Sequence, residues 1–261
     1  MVLPLGDLEK TRIVPIATYV LIALNVVLYL VELDRGDDFQ VAYAATPYEI
    51  THNVDLVGPV PLPVAADANP LEAGPPREIL QAPGPSPIWL TLFTAMFLHG
   101  SPLHLAGNML YLWIFGDNVE EVLGSIRYVL VYLACGLMGS LLQIAAAPNS
   151  VIPTLGASGA IAGIMGIYVI WFPHNRIRVL VFRFITEMPA LVVIGLWILM
   201  QLWEGVGGLA EVGEPRGVAY LAHLGGAITG ILAAFIFQNE ITRFRREEAR
   251  QGWYYGPPEP E

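Results

Sequence analysis

Leu155-Gly156-Ala157-Ser158-Gly159-Ala160-Ile161-Ala162-Gly163-Ile164-Met165-Gly166-Ile167-Tyr168-Val169-Ile170-Trp171-Phe172 runs for eighteen residues without a charge, and a serine stands fourth in it. A stretch of that length and apolarity reads as a membrane-spanning helix. A hydroxyl flanked by Gly156, Ala157 and Gly159 is polar where lipid offers no partner, and such groups mark function by default. A second apolar stretch, residues 218–237, carries Ala222-His223-Leu224-Gly225-Gly226. Serine and histidine are the minimum parts for nucleophilic hydrolysis. The pair points to a hydrolase whose active site lies within the bilayer.

The rest of the chain agrees with a membrane solvent. Charged residues make up 14% and hydrophobic residues 55% of 261 positions, a balance that excludes an ordinary soluble domain. A net charge of -10, with no basic run interleaved with aromatics, excludes a nucleic-acid surface. The single cysteine, Cys135, stands in an apolar segment; it has no partner for an internal disulfide and reads as packing rather than as a nucleophile. Six segments have the length of spanning helices: 13–33, 102–122, 126–147, 155–172, 187–204 and 218–237. Lys10 and Arg12 before the first, and Ala42-Tyr43-Ala44 after it, resemble a signal peptide, but the apolar core is long and the small-residue site distant, which favours a retained helix. The predicted fold is an all-α membrane protein of six transmembrane helices, with a tail at 1–12, a membrane domain at 13–238 and a charged tail at 239–261.

Positive charge orients it. Lys10, Arg12, Arg127, Arg176, Arg178, Arg183, Arg243, Arg245, Arg246 and Arg250 fall on one side, and only Arg35, Arg77 and Arg216 on the other. Ten against three places both termini in the cytoplasm, so segments two, four and six start on the outer side. The one long connection, about 34–90, is also outer. It holds ten of the 21 prolines together with Asp37, Asp38, Glu49, Asp55, Asp67, Glu72 and Glu78. Extended or irregular structure is expected there, as in a tolerated surface insertion or in a substrate-docking or partner-binding loop, without catalytic groups.

Depth follows from counting up from the cytoplasmic ends. Ser158 precedes Trp171 by 13 residues, His223 precedes Phe237 by 14, and Asn108 precedes Glu120 by 12. At about 1.5 Å per residue, all three lie about 20 Å up a core about 30 Å thick. Gly159 and Gly163, and Gly226 and Gly230, stand four apart, so segments four and six each present a small-residue face that admits close helix contact. His99-Gly100-Ser101-Pro102-Leu103-His104-Leu105-Ala106-Gly107-Asn108 supplies the remaining polar groups, with His104 and Asn108 on one helix face. Acyl transfer needs donors aimed at the developing oxyanion; Asn108, His104 and the Ser158 backbone N–H are the candidates. His99 is read as a hydrogen-bonded strut.

HxxxxHxxxN from His99, GASG at Gly156 and AHxxG at Ala222, in order at the starts of alternate helices, resemble the rhomboid family of intramembrane serine proteases from about Leu90 to Phe237. The resemblance implies a Ser158 nucleophile, a His223 general base and an oxyanion site drawn from His104, Asn108 and the Ser158 amide, with Gly156, Gly159 and Gly226 structural beside them. Phe115-Gly116-Asp117-Asn118-Val119-Glu120 resembles the family's second-helix ending, in which the glutamate is structural. It implies no cofactor and no metal, a single-pass transmembrane protein as substrate, and residence in a prokaryotic cell membrane with the site open to the outer side. Two features depart from the family. Leu90 and Thr91 stand where many relatives carry Trp-Arg, and Ala162 stands where several carry an aromatic residue against the catalytic histidine, so the group that orients His223 is not legible. Neither Glu187 nor Glu204 qualifies as a third member, which leaves a Ser-His dyad. Three rivals remain: a metalloprotease, which lacks HExxH; a transporter, for which no inverted repeat is visible; and an inactive relative acting as a membrane chaperone.

Overall fold

A computed structural model describes residues 2–9, 11–62, 78–210 and 220–251. The expectations for Lys10, for 63–77 of the long connection, for Arg216 and for 252–261 concern residues outside that set, as does the side chain of Glu204. Strand β1 (Val2–Asp7) precedes helices α1 (Ile16–Arg35), α2 (Asp37–Tyr43) and α3 (Pro47–His52). Strands β2 (Gly58–Pro61) and β3 (Glu78–Gln81) follow, then a 3-10 turn at Ile88–Leu90, α4 (Thr91–Thr94) and another 3-10 turn at Ala95–Phe97. Helices α5 (Pro102–Leu123), α6 (Ser125–Ala146) and α7 (Ser158–Trp171) come next, then strands β4 (Arg176–Val181) and β5 (Phe184–Pro189), and helices α8 (Ala190–Ala210), α9 (Tyr220–Ile236) and α10 (Gln238–Gln251).

The molecule is mostly helical, and each of the six apolar segments coincides with a helix: α1, α5, α6, α7, α8 and α9. Among the described residues, length and composition alone qualify two helices as spans, α1 and α6, and a third if α9 and α10, bent 62° apart, count as one. The reason is chemical. Helix α5 carries His104, Asn108, Asp117, Asn118, Glu120 and Glu121, and α7 is only 14 residues long. Helix α7 is buried along almost its whole length, so lipid need not solvate it, whereas α5 buries Asn108, Asn118 and Glu120 and leaves Leu103 and Trp113 exposed.

Close backbone contact builds the centre. A Cβ added at Gly226 would overlap the Gly159 carbonyl oxygen, and one at Gly230 would overlap that of Gly163. The two small-residue faces therefore meet each other, locking α7 against α9. Helix α6 closes the third side, where Gly163 faces the buried Cys135 and a Cβ at Gly136 would lie 2.7 Å from the Met96 sulfur. At the opposite end Glu120 ties three elements together. Its carboxylate accepts the Ala17 and Thr18 N–H groups at 2.8 Å each, the Thr18 hydroxyl at 2.8 Å and the Ser125 hydroxyl at 2.6 Å. Those N–H groups belong to the first turn of α1, which has no helical acceptor for them.

The structure departs from these expectations in several places. The fold is not purely helical: β1 pairs antiparallel with β4, and β4 with β5, in a three-stranded sheet. Residues 2–7, within the expected N-terminal tail, form a strand paired with β4. Along β4 the arginines 176 and 178 point to solvent while Ile177 and Val179 are fully buried, an alternation of period two that marks a half-buried strand. The fifth segment starts at Ala190 rather than 187, because Glu187 belongs to β5. The described parts of the proline-rich connection are also more ordered than its composition suggests. Pro47 sits in the first turn of α3, where no N–H is needed, and Pro59 and Pro61 lie on β2 of a two-stranded sheet, in which every strand is an edge. Residues 239–251, expected as part of a tail, form most of α10.

Candidate active site

Ser158 opens α7. The turn before it is set by Gly156, whose φ of +126° is accessible to glycine and strained for other residues, and whose N–H donates to the Ala95 carbonyl at 2.8 Å. The Gly156 position also has no room for a side chain: a Cβ there would lie 2.9 Å from His104 Nε2 and 3.7 Å from Ser158 Oγ. Glycine thus lets the His104 imidazole lie beside the serine hydroxyl. The same connection is braced by the long loop, since Ala45 and Thr154 exchange backbone hydrogen bonds at 2.9 Å in both directions and Gln81 donates to the Val151 carbonyl at 2.6 Å. The loop predicted to be a surface insertion is packed against the strand of chain that delivers Ser158.

His223 is carried by α9, three residues before Gly226, so the glycine contact that fixes α7 against α9 also fixes the serine against the histidine. The His223 Nε2 atom lies 2.6 Å from Ser158 Oγ. Its other nitrogen, Nδ1, lies 2.5 Å from Gln201 Oε1 on α8. The ring is flanked by Trp197, with centroids 5.6 Å apart at 39°, and by Tyr220 at 6.4 Å and 89°. Ala162 is buried within α7, and the aromatic rings that lie beside the imidazole come from α8 and α9 instead.

The α5 groups sit alongside. Ser101 caps the helix by accepting the His104 N–H at 3.1 Å, with Pro102 in the first turn. Asn108 Nδ2 lies 2.9 Å from Nε2 of His99, which is wholly buried. The His99 N–H donates to both carboxylate oxygens of Glu32 at 3.1 Å, and its carbonyl accepts from Gln40 Nε2 at 3.1 Å. The His99 and His104 rings meet edge to face at 5.1 Å. An amide has two N–H donors, so anchoring one on His99 orients Asn108 and leaves the other for a ligand.

The structure thus brings Ser158 and His223 into direct contact, sets His104 beside Ser158 across Gly156, and ties Asn108 to His99 on the same face of α5. Among the described residues, no three His, Cys, Asp or Glu side chains converge as a metal site would need. Gln201 is the residue beside the pair that the sequence analysis does not assign to the site. The signal was present: a lone amide in the apolar run of α8 is costly unless something bonds it.

Residues 87–240, more than half of the chain, match the family model for the Rhomboid domain. The chain belongs to the rhomboid family. It is 30% identical over 174 residues to Rhomboid protein 1, mitochondrial, of Saccharomyces cerevisiae, covering 63% of this chain and 47% of the yeast protein. It is 34% identical over 146 residues to Rhomboid protease GluP of Bacillus subtilis, covering 56% of this chain and 25% of that protein. To Rhomboid-like protein 11, chloroplastic, of Arabidopsis thaliana it is 31% identical over 158 residues, covering 58% of this chain and 53% of the plant protein. The chain therefore spans about half or less of the length of these relatives. A family model and apolar helices of this kind make it an integral membrane protein, and the organelles and organisms named fix no particular membrane.

Proposed function

We propose that this rhomboid protein is an intramembrane serine endopeptidase that uses Ser158 as nucleophile and His223 as general base. The observation that carries this reading is the 2.6 Å separation of Ser158 Oγ and His223 Nε2, half-buried between two helices whose glycine faces hold it in place. Ser158 Oγ attacks a peptide carbonyl carbon as its proton passes to Nε2. The tetrahedral oxyanion is stabilised by N–H donors from Asn108, His104 and the Ser158 backbone. His223 then returns the proton to the leaving amine, and water releases the acyl group by the same path in reverse.

The substrate in this reading is the transmembrane helix of a single-pass protein, cut near its outer end. Helix α7 is about 21 Å long at about 1.5 Å per residue, short of a core about 30 Å thick, so a residue at its start lies below the outer boundary. Six helices cross the bilayer, both termini are cytoplasmic, and the site opens outward, as the ten-to-three distribution of positive charge supports.

A serine-directed fluorophosphonate tests the assignment. The native protein should be labelled and should cut a model transmembrane substrate, whereas Ser158→Ala should do neither while remaining folded and membrane-inserted. Labelling that survives the substitution would move the nucleophile elsewhere. A folded native protein that neither labels nor cleaves would be an inactive rhomboid-like binding protein.

A further inference from the structure

We infer that Gln201 is the positioning residue of His223, accepting the Nδ1 proton through its side-chain carbonyl and so holding the imidazole in the tautomer that a base requires; this rests on the hydrolase reading above. An imidazole that takes a proton at Nε2 must carry its own proton at Nδ1. The atom facing Nδ1 is Gln201 Oε1, at 2.5 Å, and a carbonyl oxygen only accepts. The contact therefore selects the tautomer whose Nε2 lone pair points at Ser158 Oγ, 2.6 Å away.

The same bond strengthens as the reaction proceeds. Once Nε2 has gained the serine proton the ring is cationic, and a hydrogen bond from a charged donor is roughly twice as strong as a neutral one. Gln201 thus performs the orienting task that a carboxylate performs in a triad, without placing a second charge at membrane depth. Trp197 stands one turn earlier on the same face of α8 and lies against the ring at 5.6 Å, so one helix restrains both the tilt of the imidazole and its protonation pattern. The four-residue spacing of Trp197 and Gln201 is what lets one helix do both.

The test compares native protein with Gln201→Met, which keeps the length of the side chain but cannot accept, and Gln201→Glu, which is isosteric and only accepts. All three are purified in lipid, and kcat, KM and fluorophosphonate labelling are measured across pH. Gln201→Met should lower kcat by about 10- to 100-fold, the scale of one hydrogen bond to a group that becomes charged, with KM unchanged because the acceptor lost is the one spent on His223 Nδ1. Its acid limb should move to lower pH, since the imidazolium has lost an acceptor. Gln201→Glu should move the acid limb the other way and recover activity above it. A residue that merely packs would leave kcat of Gln201→Met at the native value on the plateau above the acid limb.

Native kcat and an unmoved pH profile in Gln201→Met would overturn the inference, as would two acid limbs moving in the same direction. If Gln201→Met fails to fold, Gln201→Glu decides alone: an acid limb identical to that of the native protein, or complete loss in a folded variant, overturns it. The two levels separate cleanly, because a native protein that cleaves while Gln201→Met matches it refutes only the role of Gln201. A native protein that does not cleave refutes the hydrolase reading, and the positioning role falls with it.

Discussion

At the scale of single residues, the polar groups of this site serve different ends according to what they touch. Ser158 and His223 touch each other; Asn108 touches His99, and His99 in turn is held by Glu32 from α1. That arrangement gives Asn108 one anchored and one available N–H. In the proposed mechanism Asn108→Ala should therefore reduce turnover without erasing it, because removing one oxyanion donor costs about 100- to 1000-fold. Residual cleavage measured against the Ser158→Ala background checks this. Complete loss in a folded Asn108→Ala protein would mean that the residue does more than donate, and native turnover would remove it from the site.

At the scale of elements, the glycines of α7 and α9 and the strand β1 each make a testable contribution. Gly226 abuts the backbone of Gly159, where nothing can give way, so Gly226→Leu should push the helices apart and cost about 3 kcal/mol, the upper end of ordinary overpacking. A lowered unfolding temperature together with lost fluorophosphonate labelling is the expected result. Gly195→Ala on α8, where an added Cβ meets nothing within 4 Å, should leave both unchanged. Strand β1 ends at Asp7, whose carboxylate accepts from the Tyr168 hydroxyl and, at 2.8 Å, from Asn118 Nδ2. Burial away from water pushes that carboxyl from 3.8 up to about 6, against the pull of its hydrogen bonds. Between those values the folded protein keeps a proton that the unfolded chain releases, so stability should fall as pH rises through the window, by at most about 3 kcal/mol. Unfolding temperatures taken across that range should show the slope in the native protein and a flatter line in Asp7→Asn.

At the scale of the whole molecule, the proposed orientation makes opposite ends of the bundle chemically distinguishable. Ser86, in the loop before α4, and Arg183, at the tip of the β4–β5 hairpin, are both exposed and lie on connections assigned to opposite sides. In a Cys135→Ala background, Ser86→Cys should react with an impermeant maleimide added to intact cells, and Arg183→Cys only after permeabilisation. The reverse pattern would turn the site toward the cytoplasm.

Composition, charge asymmetry and three short motifs were enough to read a helical membrane protein of the rhomboid family, because lipid imposes its demands on every segment separately and those demands are written in local sequence. The spacing of Gly159 with Gly163 and of Gly226 with Gly230 announced two faces suited to close approach. Only the folded molecule shows that these faces meet each other. Strand β1 was not legible, since six residues that pair with a partner some 170 positions away carry no pattern of their own. The order in the proline-rich connection was hidden for a related reason: Pro47 and Pro59 are compatible with a helix start and an edge strand, but nothing local says that those elements exist. Gln201 is the sharpest case. An amide in an apolar helix signals a buried partner, yet whether that partner is lipid headgroup, water or the Nδ1 atom of His223 depends on the rotation and position of α8 against α9, and no residue along α8 encodes that by itself.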